Sequence, residues 1–468
     1  MSGPMSLEPG AAHQDTLALR LADTAARPPR RPWAETPLAP GRPGPDEAEV
    51  SRLAAELADR VGPAVHPYEV AALLEAEGLS AEVIRERYGH PDIFSLAAAL
   101  YERVPRVFPE PARAPDPWRP DTLRCLLRGV LFALPGLAYL LTAPLWNPGR
   151  HAAGPVVAGI LSWAWGQALG HRAYLRMVAG RREAGRTLLV GAPLGAAAAT
   201  AAGAAAAGGG PATWAVAAQS LYLGAAGILL VLGRERLLLL ALTPLIAGTA
   251  VLPWWEPGPW LRAGLPALAL LATLAAVARV LRDAYAAPAA PDGGARPPLR
   301  RSLPYGLFGL AAAVLVLLEG RAEPYAVIAL TVSMGPAEWL LYRFRGLSVT
   351  ALGSASTPAG FLLRSAGVLA LCLAGYLLLL LPVALLTGAA PAPLLLLAAT
   401  LWTALLLQAF GVAWPPAAVC ALAAAAAGAV TLLGRTPGPS ALTLSCGLAA
   451  PGLVACTLRV LGRPARHA

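Results

Sequence analysis

Twelve apolar stretches, separated by short polar segments, follow one another from about residue 127 to the C-terminus. Each is close to the roughly 20 residues that an α-helix needs to cross a hydrocarbon core of about 30 Å. The predicted spans are 127–145, 152–170, 187–206, 212–232, 237–253, 261–281, 303–319, 324–342, 361–386, 393–411, 414–433 and 440–461. The pattern predicts an all-α, polytopic membrane protein of about 12 transmembrane helices. Only Trp414-Pro415-Pro416 separates the tenth span from the eleventh, and we expect two helices there because the joined stretch is too long for one.

The N-terminal region has a different pattern. Residues 1–45 are rich in Pro, Arg and Ala and are predicted to form a disordered arm. Residues 46–108 show amphipathic spacing, and Pro67, Ser80 and Pro91 mark helix starts within them. We therefore predict a small acidic helical cytoplasmic domain, which a Pro-rich linker joins to the membrane region.

That linker is predicted at residues 109–120, and the first six-helix half at residues 121–282. A cytoplasmic linker, 283–302, is rich in Pro and Gly, and the second six-helix half, 303–468, follows it. A weak internal repeat supports a duplication, because the segment from Gly166 to Arg176 aligns with the segment from Gly335 to Arg345. Two such halves are a transporter architecture.

Composition agrees with a membrane protein, since the 468 residues are 56% hydrophobic and 14% charged, against roughly 25% charged in soluble domains. Scanning the sequence finds no lysine, so all 37 basic residues are arginine. A Walker A ATPase and a Schiff-base enzyme both need a lysine and are therefore excluded. The sequence also has no HExxH or GxSxG motif. We expect no enzyme activity, no catalytic residue, no cofactor and no metal site.

The arginines follow the positive-inside rule. With the N-terminus inside, the predicted inner segments hold 21 arginines and the outer loops hold 4, which are Arg150, Arg262, Arg321 and Arg435. This distribution predicts a multi-pass protein of the cell membrane with both termini in the cytoplasm. Because most of the net charge of +10 lies in these short loops, we expect no nucleic-acid partner.

Polar residues within the apolar stretches are the candidate functional groups, because ionisable side chains are costly in a membrane. Glu338 lies near the end of the eighth predicted span, five residues before Arg343. It either pairs with loop arginines at the interface or lines an inner-facing cavity. Gln167 and Gln408 are expected to form interhelical hydrogen bonds, and Arg364 is most simply a positive-inside anchor.

The loop from Tyr174 to Leu189 reads Tyr-Leu-Arg-Met-Val-Ala-Gly-Arg-Arg-Glu-Ala-Gly-Arg-Thr-Leu-Leu. It resembles a recurrent stretch of the multidrug/oligosaccharidyl-lipid/polysaccharide flippase superfamily. The segment Leu126–Leu137 resembles the opening helix of that superfamily, and the segment Arg343–Arg364 lies where the second-half counterpart would. The resemblance covers spans one to three and eight to nine.

The resemblance implies two six-helix lobes that rock around a central cavity and export a lipid-linked sugar in polysaccharide biosynthesis by alternating access. Basic residues would then meet the pyrophosphate of the substrate as charge-assisted donors. The candidate substrate-binding residues are Gln167, Arg172, Arg176, Glu338, Arg343, Arg345 and Arg364. Membrane lipid and a lipid-linked sugar are the expected partners.

Two other functions stay open. One is another secondary transporter, although the major-facilitator signature needs Asp four residues after Gly170 and the chain has Tyr174 there. The other is a non-transporting membrane scaffold that recruits a cytoplasmic protein through residues 46–108. Between residues 46 and 106 there are twelve acidic residues and six arginines, a charge that repels DNA but suits docking to another protein.

Overall fold

The computed structural model describes residues 46–105, 120–147, 151–210, 212–288, 297–355, 357–387, 390–433 and 439–463. These residues fall in two compact units, one N-terminal and one that begins before the first apolar helix. The predicted disordered arm, most of the linker 109–120 and part of the linker 283–302 lie outside the described residues. All the secondary-structure elements assigned within the described ranges are helices.

The described part of the N-terminal unit, residues 46–105, contains five short helices. They are α1 (Asp46–Glu56), α2 (Ala58–Val61), α3 (Pro67–Ala76), α4 (Ala81–Arg87) and α5 (Ile93–Arg103). Three of them begin at side-chain caps. The His66 ring accepts a hydrogen bond from the backbone N–H of Tyr68 at 3.2 Å, the Ser80 hydroxyl accepts one from Val83 at 3.4 Å and Asp92 accepts one from Ser95 at 2.7 Å. The predicted helix starts at Pro67 and Ser80 are thus confirmed.

The apolar faces of these short helices form one core. Val50, Leu74, Leu96 and Leu100 are among its buried residues. Phe94 lies outside it and is 56% exposed, because it follows Ile93 directly and points away from the core face of α5. The unit therefore buries an apolar core of its own.

Fourteen further α-helices are assigned in the described part of the second unit. They are α6 (Thr122–Ala133), α7 (Gly136–Thr142), α8 (Ala153–Met177), α9 (Arg181–Ala206), α10 (Ala212–Val231), α11 (Glu235–Ala241), α12 (Thr243–Ala250), α13 (Pro259–Ala286), α14 (Leu303–Ala322), α15 (Pro324–Ser354), α16 (Pro358–Thr387), α17 (Pro391–Ala409), α18 (Trp414–Leu432) and α19 (Pro439–Leu461). The tenth and eleventh predicted spans are separate helices, α17 and α18.

Nine helical segments among the described residues are long and apolar enough to cross a membrane, so the chain is a multi-pass membrane protein. Three predicted spans are not among the nine. The fifth is divided at Leu242 into α11 and α12, which have seven and eight residues. The second and eighth correspond to α8 and α15, which carry more polar residues, including Gln167 and Glu338. A total of twelve spans stays a prediction.

Two large hydrophobic clusters form the core of the membrane unit. One contains buried residues from Leu131 to Leu281, and the other contains buried residues from Phe308 to Leu461. The boundary between them falls in the predicted linker 283–302. Each cluster is therefore built from helices on one side of that linker.

Small residues bring helices of the two clusters into direct contact. A Cβ on Gly129 of α6 would lie 2.8 Å from the backbone oxygen of Val332 in α15, and one on Gly335 would lie 2.7 Å from that of Cys125. A Cβ on Gly309 of α14 would lie 2.8 Å from the Cγ of Gln167 in α8. Any side chain larger than that of glycine would push these helix pairs apart.

Candidate functional site

A buried ion-pair network joins three helices of the membrane unit. Arg128 of α6 donates to Glu235 at the start of α11, with Nε 2.9 Å from Oε1, and also to Glu338 of α15. Arg124, one turn before Arg128, donates to the same Glu235 oxygen at 2.8 Å. Arg128, Glu235 and Glu338 are each less than a tenth exposed. Because every buried charge has an opposite partner, the network avoids the large cost of an isolated ion.

The network changes the interpretation of Glu338. The sequence placed it in the last turns of a span that ends at residue 342, whereas α15 continues to Ser354 and Glu338 lies near its middle. Its partner is Arg128 of α6 rather than an arginine of the following loop. Interhelical packing at Gly129 and Gly335 places the two side chains together, and no sequence spacing predicts this pairing.

Glu235 lies outside the nine candidate spans, at the first residue of α11. Burial raises the pKa of its carboxyl, but the backbone N–H at the helix start and the guanidinium groups of Arg124 and Arg128 together lower the pKa below its usual value. Glu235 is thus held as a carboxylate that neutralises the two arginines of α6.

An open cavity of about 670 Å³ lies beside this network. We call it the arginine cavity, because four arginines line it: Arg124, Arg181, Arg234 and Arg236. The carboxylates in its lining are Asp121 and Glu235, so the lining has an excess of positive charge. Anionic groups are therefore attracted to it.

Two glycine turns place the arginines of this cavity. Gly180, at φ +123°, connects α8 to Arg181 at the start of α9, and Gly233, at φ +69°, ends α10 just before Arg234. Both conformations favour glycine. A Cβ on Gly233 would also lie 3.0 Å from Nη2 of Arg124. The absence of a side chain at Gly233 thus leaves room for the Arg124 guanidinium.

The hydrophobic pattern predicts a topological role for these four arginines, and Arg181 also lies in the segment Tyr174–Leu189 that resembles the flippase superfamily. The predicted substrate contacts lie elsewhere, since none of the seven residues lines the arginine cavity. One sequence feature does indicate a site, because two closely spaced arginines, Arg234 and Arg236, flank Glu235 directly after a glycine. Their proximity to Arg124 and Arg181 arises only from tertiary packing.

Several of the predicted site arginines are bound by other parts of the protein. Arg176 is buried and forms an ion pair with Glu183, which also pairs with Arg186 at 3.0 Å. Arg172 donates to the backbone oxygen of Pro297 at 3.1 Å. The ion pairs of Glu183 fasten the turn between α8 and α9, and the Arg172 contact joins α8 to the segment that precedes α14.

The remaining predicted arginines lie in or beside α15. Arg343 lies over the ring of Trp339 at 5.6 Å, and Arg345 is buried with its guanidinium 5.0 Å from the centroid of Phe410. Arg364 is exposed and donates to the hydroxyl of Ser354. The structure thus does not bring the five predicted arginines together at one site.

Gln167 and Glu338 do share a site. Both line a second cavity of about 220 Å³, enclosed by residues of α8, α14, α15, α16 and α17, which we call the apolar cavity. Gln408 lines it as well, and most of its other lining residues are apolar. Of the two sequence interpretations of Glu338, lining a cavity is therefore compatible with its position, although it also has an arginine partner.

Potential metal ligands do not cluster in the described ranges. No group of three or more His, Cys, Asp or Glu residues there is placed to hold a metal ion. Four cysteines, Cys125, Cys372, Cys420 and Cys446, are buried within helices.

The chain matches no family model, no curated protein and no solved structure. The candidate sites therefore rest on the geometry of this chain alone.

Proposed function

We propose that this chain is a flippase-like transporter of the cell membrane that exports lipid-linked sugar or polysaccharide precursors by alternating access. The observation that carries the proposal is the arginine cavity, where Arg124, Arg181, Arg234 and Arg236 line one open volume beside the membrane helices. Its volume of about 670 Å³ is within the usual range of ligand sites, about 300–1,000 Å³.

Charge and donor geometry favour a phosphate-bearing ligand. Glu235 is already bound by Arg124 and Arg128, so it does not neutralise the other arginines of the cavity. Arg181, Arg234 and Arg236 are exposed. Guanidinium groups donate paired hydrogen bonds to phosphate oxygens, and several of them suit a pyrophosphate better than a single phosphate.

Topology is consistent with this role. If both termini are cytoplasmic, as the ratio of 21 inner to 4 outer arginines predicts, the arginine cavity opens on the cytoplasmic side. Two lobes would be built around the two hydrophobic clusters on either side of the linker 283–302, and this division supports alternating access. Contacts at Gly129 and Gly335 would then have to separate when the lobes move.

Transport by purified protein in vesicles tests the proposal. The substrate is a fluorescent sugar linked through pyrophosphate to a polyprenol, and the readout is the rate at which a glycosidase outside the vesicles gains access to it. We expect the protein to accelerate this rate. Combined replacement of Arg181, Arg234 and Arg236 by Gln should lower it at least tenfold, because each charged hydrogen bond contributes about 1.5–3 kcal/mol.

The matched control is Arg282→Gln, which removes an exposed arginine of α13 that does not line the cavity. Its transport rate should equal that of the parent protein. No acceleration by the parent protein, or equal rates for the triple variant and the control, would refute the proposal.

A second candidate function is a membrane scaffold that recruits a cytoplasmic protein. It is favoured by an exposed aromatic pair on the N-terminal unit, where the rings of Tyr68 and Phe94 meet edge to face at 5.8 Å and are 64% and 56% exposed. Deleting residues 1–118 tests it. Under this hypothesis, the truncated protein loses its cellular role although its membrane helices still fold, whereas an unchanged role would rule it out.

A further inference from the structure

The apolar cavity contains hydrogen-bond donors that the surrounding protein does not satisfy. Gln408 is 4% exposed, and its Nε2 has no acceptor among the described residues. The indole Nε1 of Trp163, which also lines the cavity, has none either. Buried donors without partners are rare because each costs roughly 1–3 kcal/mol, so these two N–H groups require an explanation.

Several other polar groups of the same lining have partners, whereas the side chain of Gln167 forms none of the interhelical hydrogen bonds expected of it with the described residues. The Trp402 indole donates to the backbone oxygen of Ala337 at 3.2 Å, and the Tyr376 hydroxyl is 3.0 Å from that of Ser333. Glu338 is bound by Arg128. Gln408 and Trp163 are thus the lining residues whose buried N–H groups lack an acceptor, and eight buried polar atoms elsewhere in the described residues also lack a partner.

The backbone holds Gln408 in place at the end of α17. Its carbonyl oxygen accepts from the N–H of Gly411 at 3.0 Å and from the Tyr305 hydroxyl at 3.4 Å. Gly411 has φ +76° and ends the helix there. The backbone of Gln408 is therefore fixed, and the residue lines the cavity.

We propose that the apolar cavity binds a small, neutral, mainly apolar molecule that carries an oxygen acceptor for Gln408 and Trp163. A cavity of about 150 Å³ is large enough for benzene, so one of about 220 Å³ accommodates a single substituted ring. A net charge on the ligand is disfavoured because the lining is mostly apolar and the charge of Glu338 is already neutralised by Arg128.

This site is separate from the arginine cavity and does not depend on the proposed transport. The two cavities have different linings and attract different chemistry. An anionic sugar lipid suits the arginine cavity, whereas the apolar cavity offers amide and indole donors in apolar surroundings. Binding to the apolar cavity is therefore measured without any transport substrate.

Fluorine NMR on the full-length protein in lipid nanodiscs tests the inference. The probes are 4′-fluoroacetophenone, which has a ring and a carbonyl acceptor, and 4-fluorotoluene, which has a similar ring without the acceptor. Nanodiscs without protein give the contribution of the lipid. We expect saturable binding of 4′-fluoroacetophenone to the protein and weaker binding of 4-fluorotoluene.

Three variants assign the binding to this cavity. Gln408→Leu removes the donor at similar volume and should weaken binding of 4′-fluoroacetophenone about tenfold, with little effect on 4-fluorotoluene. Trp163→Phe removes the other N–H and should weaken binding several-fold, which keeps the test valid if the first variant fails to fold. Ala312→Phe should fill the cavity and abolish binding of both probes.

The control is Leu444→Phe, which adds the same ring on an exposed position of α19 and should not change binding. No saturable binding above that of nanodiscs alone would overturn the inference. So would binding that Ala312→Phe leaves intact, or equal affinities in the parent protein and in both donor variants.

Discussion

The arginine cavity and the apolar cavity differ in the balance of charge of their lining residues. The arginine cavity is open and has more guanidinium groups than carboxylates, whereas the apolar cavity has one carboxylate, Glu338, which an arginine outside the cavity neutralises. Arg128 connects the two, because it binds Glu235 at the first cavity and Glu338 at the second. Excess charge is tolerated on exposed side chains such as Arg234 and Arg236, and it is cancelled on a buried one such as Glu338.

The largest effect should come from removing the arginine that joins the two cavities. Arg128→Met leaves Glu235 and Glu338 without a buried cation between them and should lower the free energy of unfolding by about 3–5 kcal/mol. Arg236→Met, at an exposed position of the arginine cavity, should change it by less than about 0.5 kcal/mol. Both are measured by denaturant unfolding in detergent micelles.

A double variant sharpens this comparison. Arg128→Met combined with Glu338→Met removes both charges of the pair, so it should be more stable than Arg128→Met alone. If the two arginine variants are equally stable, the buried network contributes no more than an exposed arginine, and the contrast between the cavities is refuted.

A smaller effect should come from the helix crossing that holds the network together. Gly335→Ala places a Cβ 2.7 Å from the backbone oxygen of Cys125 and should destabilise the protein by about 1–3 kcal/mol. Gly353→Ala is a control in the same helix, α15, where a Cβ meets no atom within 4 Å. It should be neutral or slightly stabilising, because alanine is the better helix former. Equal melting temperatures for the two variants would contradict the close crossing of α6 and α15.

The apolar pattern predicted much of the fold because each span is a local property of the chain. Helices α17 and α18 are separate, as expected, but the break lies at residues 410–413 around Gly411, and the prolines after Trp414 lie in the first turn of α18. The helix starts at Pro67 and Ser80 are where the pattern placed them. Helix ends were less predictable. The continuation of α15 to Ser354 crosses Arg343 and Arg345, which the hydrophobic pattern reads as the start of a loop.

The candidate site was only partly predictable. Gln167 and Glu338 were selected because polar residues are costly in apolar helices, and they line one cavity. The arginines of the other cavity were interpreted as topology, because a loop arginine has the same sequence pattern whether it anchors a helix or lines a site. Which arginines come together depends on contacts between helices far apart in the chain.

The sequence by itself determined that this is a multi-pass helical membrane protein, since hydrophobic length and the requirement to satisfy every backbone hydrogen bond within a span leave few alternatives. It also determined that its cations are all arginine. Only the tertiary structure decided that Arg128 pairs with Glu338 and that Gln408 lines a cavity, because contacts between helices far apart in the chain, such as the glycine crossing of α6 and α15, set which side chains meet.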